Sequence, residues 1–194
     1  MESKYYTIKQ MLEMIDEPNR TACSRILTDN RKLFQTVPGS THNHQAWPGG
    51  YFDHVQEIMN ISVAEYDMLN SRRRQVFSLS DLLLVVFLHD LEKPWKYELG
   101  EAGQLRHKSW MQTKRAAHQF RMTKLTEYDV VLTPKQENGL TYAEGELDDY
   151  TNRRRVMEPL AAVAHACDVI RARVWFDHPM QEDDPWRGAK RIRD

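Results

Sequence analysis

The chain has little of what defines several large classes of protein. Its 194 residues include two cysteines, Cys23 and Cys167, which form neither a CxxC pair nor a disulfide framework. The formal net charge is −1, so the whole chain offers no excess positive charge for nucleic acid or an anionic membrane surface. No apolar run approaches the roughly 20 residues that cross a bilayer, and residues 1–6 do not resemble a signal peptide. These absences favour a cytoplasmic protein without a membrane partner.

The composition is that of a globular domain. Hydrophobic residues make up 41% and charged residues 28% of the chain, and 194 residues fit one domain with a sizeable core. Apolar residues recur at helical rather than strand spacing, so the predicted architecture is all-α. The predicted helices run approximately over Thr7–Ile15, Asn19–Phe34, Tyr51–Leu69, Asp81–Leu91, Leu105–Leu125, from Pro134, and over Met157–Phe176.

One of these helices ends in a His-Asp pair. The segment Leu82–Leu88 is apolar on every side, which is typical of a buried helix, and His89 and Asp90 follow it directly. A buried carboxylate without a partner costs several kcal/mol. Two explanations remain open at this point: a divalent cation bound by His89 and Asp90, or an Asp satisfied by an Arg or by backbone amides.

Three further residues suggest that the pair is part of a larger set. His54 follows a Pro-Gly-Gly loop near the start of a helix, and Asp168 lies in the apolar C-terminal helix, three residues after His165. Two imidazoles and two carboxylates from three helices form a mixed nitrogen and oxygen ligand set. Such a set suits Mn, Fe, Co, Ni or Zn better than Mg or Ca.

The order His54, His89-Asp90, Asp168 resembles the H…HD…D signature of the HD-domain metal-dependent phosphohydrolase superfamily. The run from His44 to His54, HQAWPGGYFDH, is similar to the "HHAYPGGLLEH" pattern of one branch, which includes exoribonuclease-associated HD domains. LHDLEK at residues 88–93 resembles "LHDLGK", and HACD at residues 165–168 resembles "HAAD". The resemblance covers roughly residues 40–176. It predicts a helical HD domain there, with N-terminal helices over 1–39 packed on it and a surface tail over 177–194.

The resemblance implies roles for individual residues. A divalent metal would be held by His54, His89, Asp90 and Asp168, with Asp90 also orienting the attacking water. Lys93, just past the pair, would bind a substrate phosphate or stabilise the leaving oxygen. We also expect a substrate-binding role for His44, at the mouth of the site, and for Arg171. Arg171 and Arg173 both flank Asp168 in an apolar helix, so one of the two is expected to point at the site.

The chain also departs from the family pattern. Glu92 stands where Gly is usual, and Ala143-Glu144-Gly145-Glu146 stands where the family often has a His before a Gly. Four residues are therefore alternative ligands of a second metal, or groups around the first: Glu92, Glu144, Glu146 and His165. His165 has a second interpretation as a core histidine bonded to a backbone carbonyl. Because the additional histidines of two-metal members are missing, the sequence favours one ion.

The predicted function is hydrolysis of a nucleotide or other small phosphorylated compound by a metal-activated water. A long nucleic acid is not expected as substrate, and the oligomeric state stays open. Two alternatives remain: a di-iron oxygenase of HD type, and a non-catalytic module that binds a nucleotide or regulates a partner. Glu92 gives weight to the second alternative, because its negative charge beside the metal would repel phosphate.

Overall fold

The sequence folds mainly into helices. A computed structural model of the chain describes residues 4–40, 45–99, 105–146, 149–175, 182–186, 188 and 189. This part is mostly helical and forms one compact all-α domain, as predicted. The α-helices are α1 (Ile8–Leu12), α2 (Asn19–Asp29), α3 (Arg31–Phe34), α4 (Gly50–Arg72), α5 (Leu79–Leu88), α6 (Lys93–Lys96), α7 (Lys114–Glu127), α8 (Pro134–Tyr142) and α9 (Pro159–Val169). None of the described helices is both long and apolar enough to span a membrane.

Helix α5 is the centre of the core. All seven residues of Leu82–Leu88 are at most 1% exposed, because α4, α8 and α9 pack around the helix, with α1 and α2 closing the remaining side. Burial of each such side chain contributes about 1.5–3 kcal/mol. The helix begins after a capping box of Ser78 and Asp81, so its first residue is Leu79 rather than the predicted Asp81. It ends at Leu88, so His89 and Asp90 lie in the following turn rather than in the predicted last helical turn.

The segment after α6 departs most from the prediction. The helix expected over Leu105–Leu125 begins only at Lys114. Before it, β1 (Tyr97–Leu99) and β2 (Leu105–His107) pair as an antiparallel hairpin, and Ser109–Met111 form one 3₁₀ turn. Strands of three residues are too short to show an alternating pattern, which explains why the sequence did not indicate them.

The ends of two helices are set by local chemistry. Helix α4 begins after Gly49, whose φ of +81° favours glycine. Gly50 lies so close to the loop residue Gln45 that a Cβ at position 50 would lie 1.8 Å from the Gln45 carbonyl oxygen. Helix α9 passes at Ile170 into a π-helical turn that ends at Val174. These two ends carry His54 and Asp168, so they determine the geometry of the site.

The predicted surface tail over 177–194 is in part packed on the domain. Trp186 contacts both Tyr5 and Trp175, with ring centroids 5.5 Å apart in each pair. Ala189 is buried as well. The chain beyond α9 therefore returns to the N-terminal segment.

Candidate metal centre

Helix α4, helix α9 and the turn after α5 bring four ligand-type atoms together. The Nε2 atoms of His54 and His89 lie 3.5 Å apart, and Asp168 Oδ1 lies 3.4 Å from the first and 3.7 Å from the second. Asp90 Oδ2 lies 3.1 Å from His89 Nε2 and 3.5 Å from His54 Nε2. The structure thus assembles the residues of the H…HD…D pattern, and His54, His89 and Asp168 form a group that could hold a metal ion.

The spacing of these atoms fits a transition-metal ion. Three atoms about 3.5 Å apart surround a point about 2.0 Å from each of them, which is the length of a metal–imidazole or metal–carboxylate bond. His54 and His89 are at most 1% exposed, and the Asp168 side chain is 22% exposed. The donors therefore enclose a buried point with one side toward solvent.

The orientation of His89 also fits metal binding. Its Nδ1 lies 2.7 Å from the carbonyl oxygen of Val86, so a proton on Nδ1 is donated to the backbone and Nε2 points at the other donors. Histidines that bind metals usually make this second hydrogen bond. Burial alone would lower the pKa of His89, but the adjacent carboxylates of Asp90 and Asp168 raise it to about 10. Without a cation, a proton on His89 therefore balances the carboxylates, and metal binding would release it.

Lys93 is held against the centre by Asp90. Its Nζ donates to Asp90 Oδ2 from 2.5 Å, and only 15% of its side chain is exposed. Burial alone would raise the pKa of Asp90, but Lys93, His89 and His54 hold it well below its usual range. Asp90 is therefore ionised between a lysine and two imidazoles.

A second group of carboxylates adjoins the first. Asp90, Glu92 and Glu144 place oxygens within 4.8 Å of one another. Glu92 is 1% exposed, and Arg121 from α7 donates from Nε to its Oε2 over 2.9 Å. Arg121 Nη2 lies 3.5 Å from Glu144 Oε1, and Nη1 donates to the Leu140 carbonyl oxygen over 3.3 Å. Burial and the charge of Asp90 raise the pKa of Glu92, while Arg121 lowers it.

A groove of about 300 Å³ opens beside these groups. Lys93, Lys96 and Arg173 supply its positive charge. Its other lining residues are Asp90, Glu92, Glu144, His165, Asp168, Val169 and Ala172. The groove therefore leads to the ligand group and is lined by charges of both signs.

Arg171 does not occupy the place that its predicted role requires. Its guanidinium is buried and donates from Nε to Glu57 on α4, away from the groove. Arg173 lines the groove instead. The Glu57–Arg171 ion pair joins α4 to the turn after α9, and it thus connects the elements that carry His54 and Asp168.

The remaining predicted residues are distributed as follows. His165 lines the groove, and its Nδ1 lies 3.0 Å from the Ala143 carbonyl oxygen, the contact expected of a histidine bonded to the backbone. Glu144 belongs to the second carboxylate group, whereas Glu146 is exposed and does not line the groove. His44 lies outside the described residues.

Sequence reasoning missed Arg121 and Lys96, and of the two arginines that flank Asp168 it chose Arg171 rather than Arg173. Arg121 lies in a polar helix and shows no local sign of burial; only the unexplained Glu92 indicated that a cation was needed. Comparisons with protein-family models, curated proteins and solved structures found no match to this chain. Any functional assignment therefore depends on the geometry of the site and on the sequence motifs.

Proposed function

We propose that the chain is a metal-dependent phosphohydrolase of the HD type, acting on a nucleotide or another small phosphorylated compound. The observation that carries the proposal is the convergence of His54, His89, Asp90 and Asp168 within 3.1–3.7 Å in five measured pairs. The all-α fold agrees with the fold that the sequence resemblance implies. The groove beside the four residues provides access for a substrate.

The proposed site holds one divalent ion, with Mn, Fe, Co, Ni or Zn preferred over Mg because two of its ligands are imidazoles. His54, His89 and Asp168 would hold the ion, with Asp90 at its edge. The second carboxylate group is not proposed to bind metal, because Arg121 already provides a positive charge 2.9 Å from Glu92 and 3.5 Å from Glu144.

Each residue has a defined task in the proposed reaction. When bound, a divalent cation supplies Lewis acidity and allows water to ionise near neutral pH. Asp90 keeps the Lys93 ammonium beside the ligand group by accepting its hydrogen bond. Lys93, Lys96 and Arg173 balance the charge of a phosphoryl group in the groove, and Lys93 is best placed to stabilise charge that develops during the reaction.

Two other functions were left open by the sequence, and the structure bears on both. A di-iron oxygenase needs a second metal, and Arg121 fills the charge requirement of the carboxylates nearest the first group. A non-catalytic module was favoured by the negative charge of Glu92. That charge is paired with Arg121, so Glu92 no longer argues against phosphate binding.

Metal content and phosphate release test the proposal together. Protein purified without chelator should contain about one divalent ion per chain, and added Mn, Co or Ni should support phosphate release from members of a nucleotide panel. Asp168→Asn should lose both metal and activity. Asp29→Asn, an equivalent change at an exposed aspartate of α2, should lose neither.

The outcomes separate the candidate functions. Stoichiometric metal without hydrolysis of any phosphorylated compound would favour the non-catalytic module. Two ions per chain with an iron chromophore and oxygen uptake would favour the oxygenase. A protein that binds no divalent ion would overturn the proposal.

A further inference from the structure

The small net charge of the chain conceals a strong asymmetry. Residues 93–124 contain eight Lys and Arg against two Glu, a net charge of +6, whereas the whole chain has −1. The segment extends from α6 through the hairpin to α7. It begins at Lys93 and Lys96, which line the groove. Positive charge is therefore concentrated on one part of the molecule, next to the candidate site.

Half of these cations serve ion pairs within the protein. The pairs are Lys93 with Asp90, Arg106 with Glu98, Arg121 with Glu92, and Lys124 with Glu127. Among the described residues, the other four form no ion pair: Lys96, Lys108, Lys114 and Arg115. Charges without an internal partner remain available to a ligand.

Lys114 and Arg115 occupy a position that does not favour them. They are the first two residues of α7, and its first turn contains no acidic residue. The helix dipole disfavours cations there and favours anions. Both side chains are exposed, and the helix has 14 residues. Their positive charge therefore opposes helix stability, and an anionic ligand would satisfy both the side chains and the helix terminus.

The hairpin connects this helix terminus to the groove. The Lys108 amide donates to the Lys96 carbonyl oxygen over 2.9 Å, so the two lysines are neighbours at the base of the hairpin. Lys108 Nζ lies 6.0 Å from the ring centre of Trp110. Trp110 in turn packs on Phe120 of α7, with centroids 5.4 Å apart. A continuous path therefore leads from the groove through Lys96 and Lys108 to Trp110.

Trp110 presents a large aromatic surface to solvent. It is 53% exposed, while Phe120 supports its ring from the protein side. An exposed, supported tryptophan among cations is the arrangement by which proteins stack an unpaired base and bind the adjacent phosphates.

We propose that Lys96, Lys108, Trp110, Lys114 and Arg115, the basic surface, bind single-stranded nucleic acid. The cations neutralise phosphates along the strand and Trp110 stacks on one base. A duplex is not the expected ligand, because its bases are already stacked on one another. The binding goes beyond the hydrolysis proposed above and does not require the metal. If both occur, the strand leads a phosphate into the groove.

The test is binding to labelled oligo(dT) and oligo(U) of about 15 nucleotides, measured by fluorescence anisotropy. EDTA is present so that binding is measured apart from any metal-dependent hydrolysis. Trp110→Ala should weaken binding roughly 5- to 150-fold, as expected for loss of one stacked base. The triple variant Lys108→Gln, Lys114→Gln, Arg115→Gln should weaken it further. It should also reduce the slope of log K against log salt by about 2, or about 0.7 for each lost phosphate contact.

The matched control removes three other exposed arginines, Arg72→Gln, Arg73→Gln and Arg74→Gln. Arg72 is the last residue of α4, 18 residues and about 27 Å along the helix from His54, and Arg73 and Arg74 follow it. This control has the same net charge as the triple variant and should bind like the unmodified chain. Equal losses in both would show non-specific attraction and overturn the proposal. So would tighter binding of a duplex, or Trp110-dependent binding to phosphatidylserine vesicles without binding to either oligonucleotide.

Discussion

Replacing Arg121 by methionine should destabilise the protein strongly, because Glu92 would remain as a buried carboxylate without its cation. Glu92 is 1% and Arg121 4% exposed, and their charged atoms are 2.9 Å apart. Loss of one partner from such a pair costs about 3–5 kcal/mol. For a chain of this length, the corresponding fall in melting temperature is roughly 6–20 °C.

The stability lost in Arg121→Met should depend on pH, and the sign of this dependence can be predicted. Burial raises the pKa of Glu92 even with Arg121 present, so removal of Arg121 should raise it further. A carboxyl whose pKa is higher in the folded than in the unfolded chain contributes stability that is lost as pH rises through this interval. Relative to the unmodified chain, Arg121→Met should therefore recover stability as the pH is lowered from neutral toward the ordinary carboxyl pKa of 4.5.

Chemical denaturation of four proteins measures these effects: the unmodified chain, Arg121→Met, Glu92→Met and the double variant. The double variant should be more stable than either single one, because it leaves no uncompensated buried charge. Arg106→Met is the matched control. Arg106 is 3.0 Å from Glu98 with side chains 57% and 37% exposed, so its loss should cost at most about 1 kcal/mol. Two results would refute the reasoning: a loss of unfolding free energy in Arg121→Met as small as that in Arg106→Met, or a double variant no more stable than the single variants.

Three other changes have expected outcomes. Gly50→Ala should lower the unfolding free energy by about 2–4 kcal/mol, because the new Cβ would overlap the carbonyl oxygen of Gln45; an unchanged melting temperature would contradict this. Lys93→Met should slow phosphate release about 100-fold or more while the metal content stays the same, and metal analysis with steady-state kinetics on one sample separates the two effects. Cys167 is buried, which raises its pKa to about 12, so it should resist a thiol reagent at about pH 8 until the protein unfolds.

The helices that carry the site could be predicted because their signals are local. Leu82–Leu88 is apolar on every side and α5 is buried there. The predicted start of α8 at Pro134 is confirmed, and Thr133 caps the helix in a capping box with Gln136. The residues of the H…HD…D pattern come from three separate segments: His54 lies near the start of α4, His89 and Asp90 directly follow the apolar α5, and Asp168 lies near the end of the apolar α9.

The wrong expectation for Arg171 has a specific physical cause. In a regular α-helix, a residue three positions after Asp168 shares its face. The chain changes to π-helical geometry at Ile170, and a π turn contains more residues than an α turn. The side chains after Asp168 therefore change direction, and Arg173 rather than Arg171 lines the groove. No feature of the sequence indicated the transition from α-helical to π-helical geometry.

The partner of Glu92 was hidden for a different reason. Arg121 is 29 residues away, and the hairpin between them determines how α7 returns to the site. The prediction had a continuous helix from Leu105, whereas the structure has the second hairpin strand there and begins α7 only at Lys114. A long-range ion pair of this kind depends on tertiary packing and has no periodic signal.

The charges around the candidate centre explain how it could attract phosphate. Three of its four buried or half-buried carboxylates have a cation of the chain as partner: Asp90 with Lys93, Glu92 with Arg121, and Glu57 with Arg171. Among the described residues, Asp168 contacts only imidazoles. With the proton on His89, these groups carry a net charge near 0, and a divalent ion that displaces this proton would change it to about +1. Without the three internal cations, four carboxylates would leave even the metal-bound site negative, and a phosphate would be repelled.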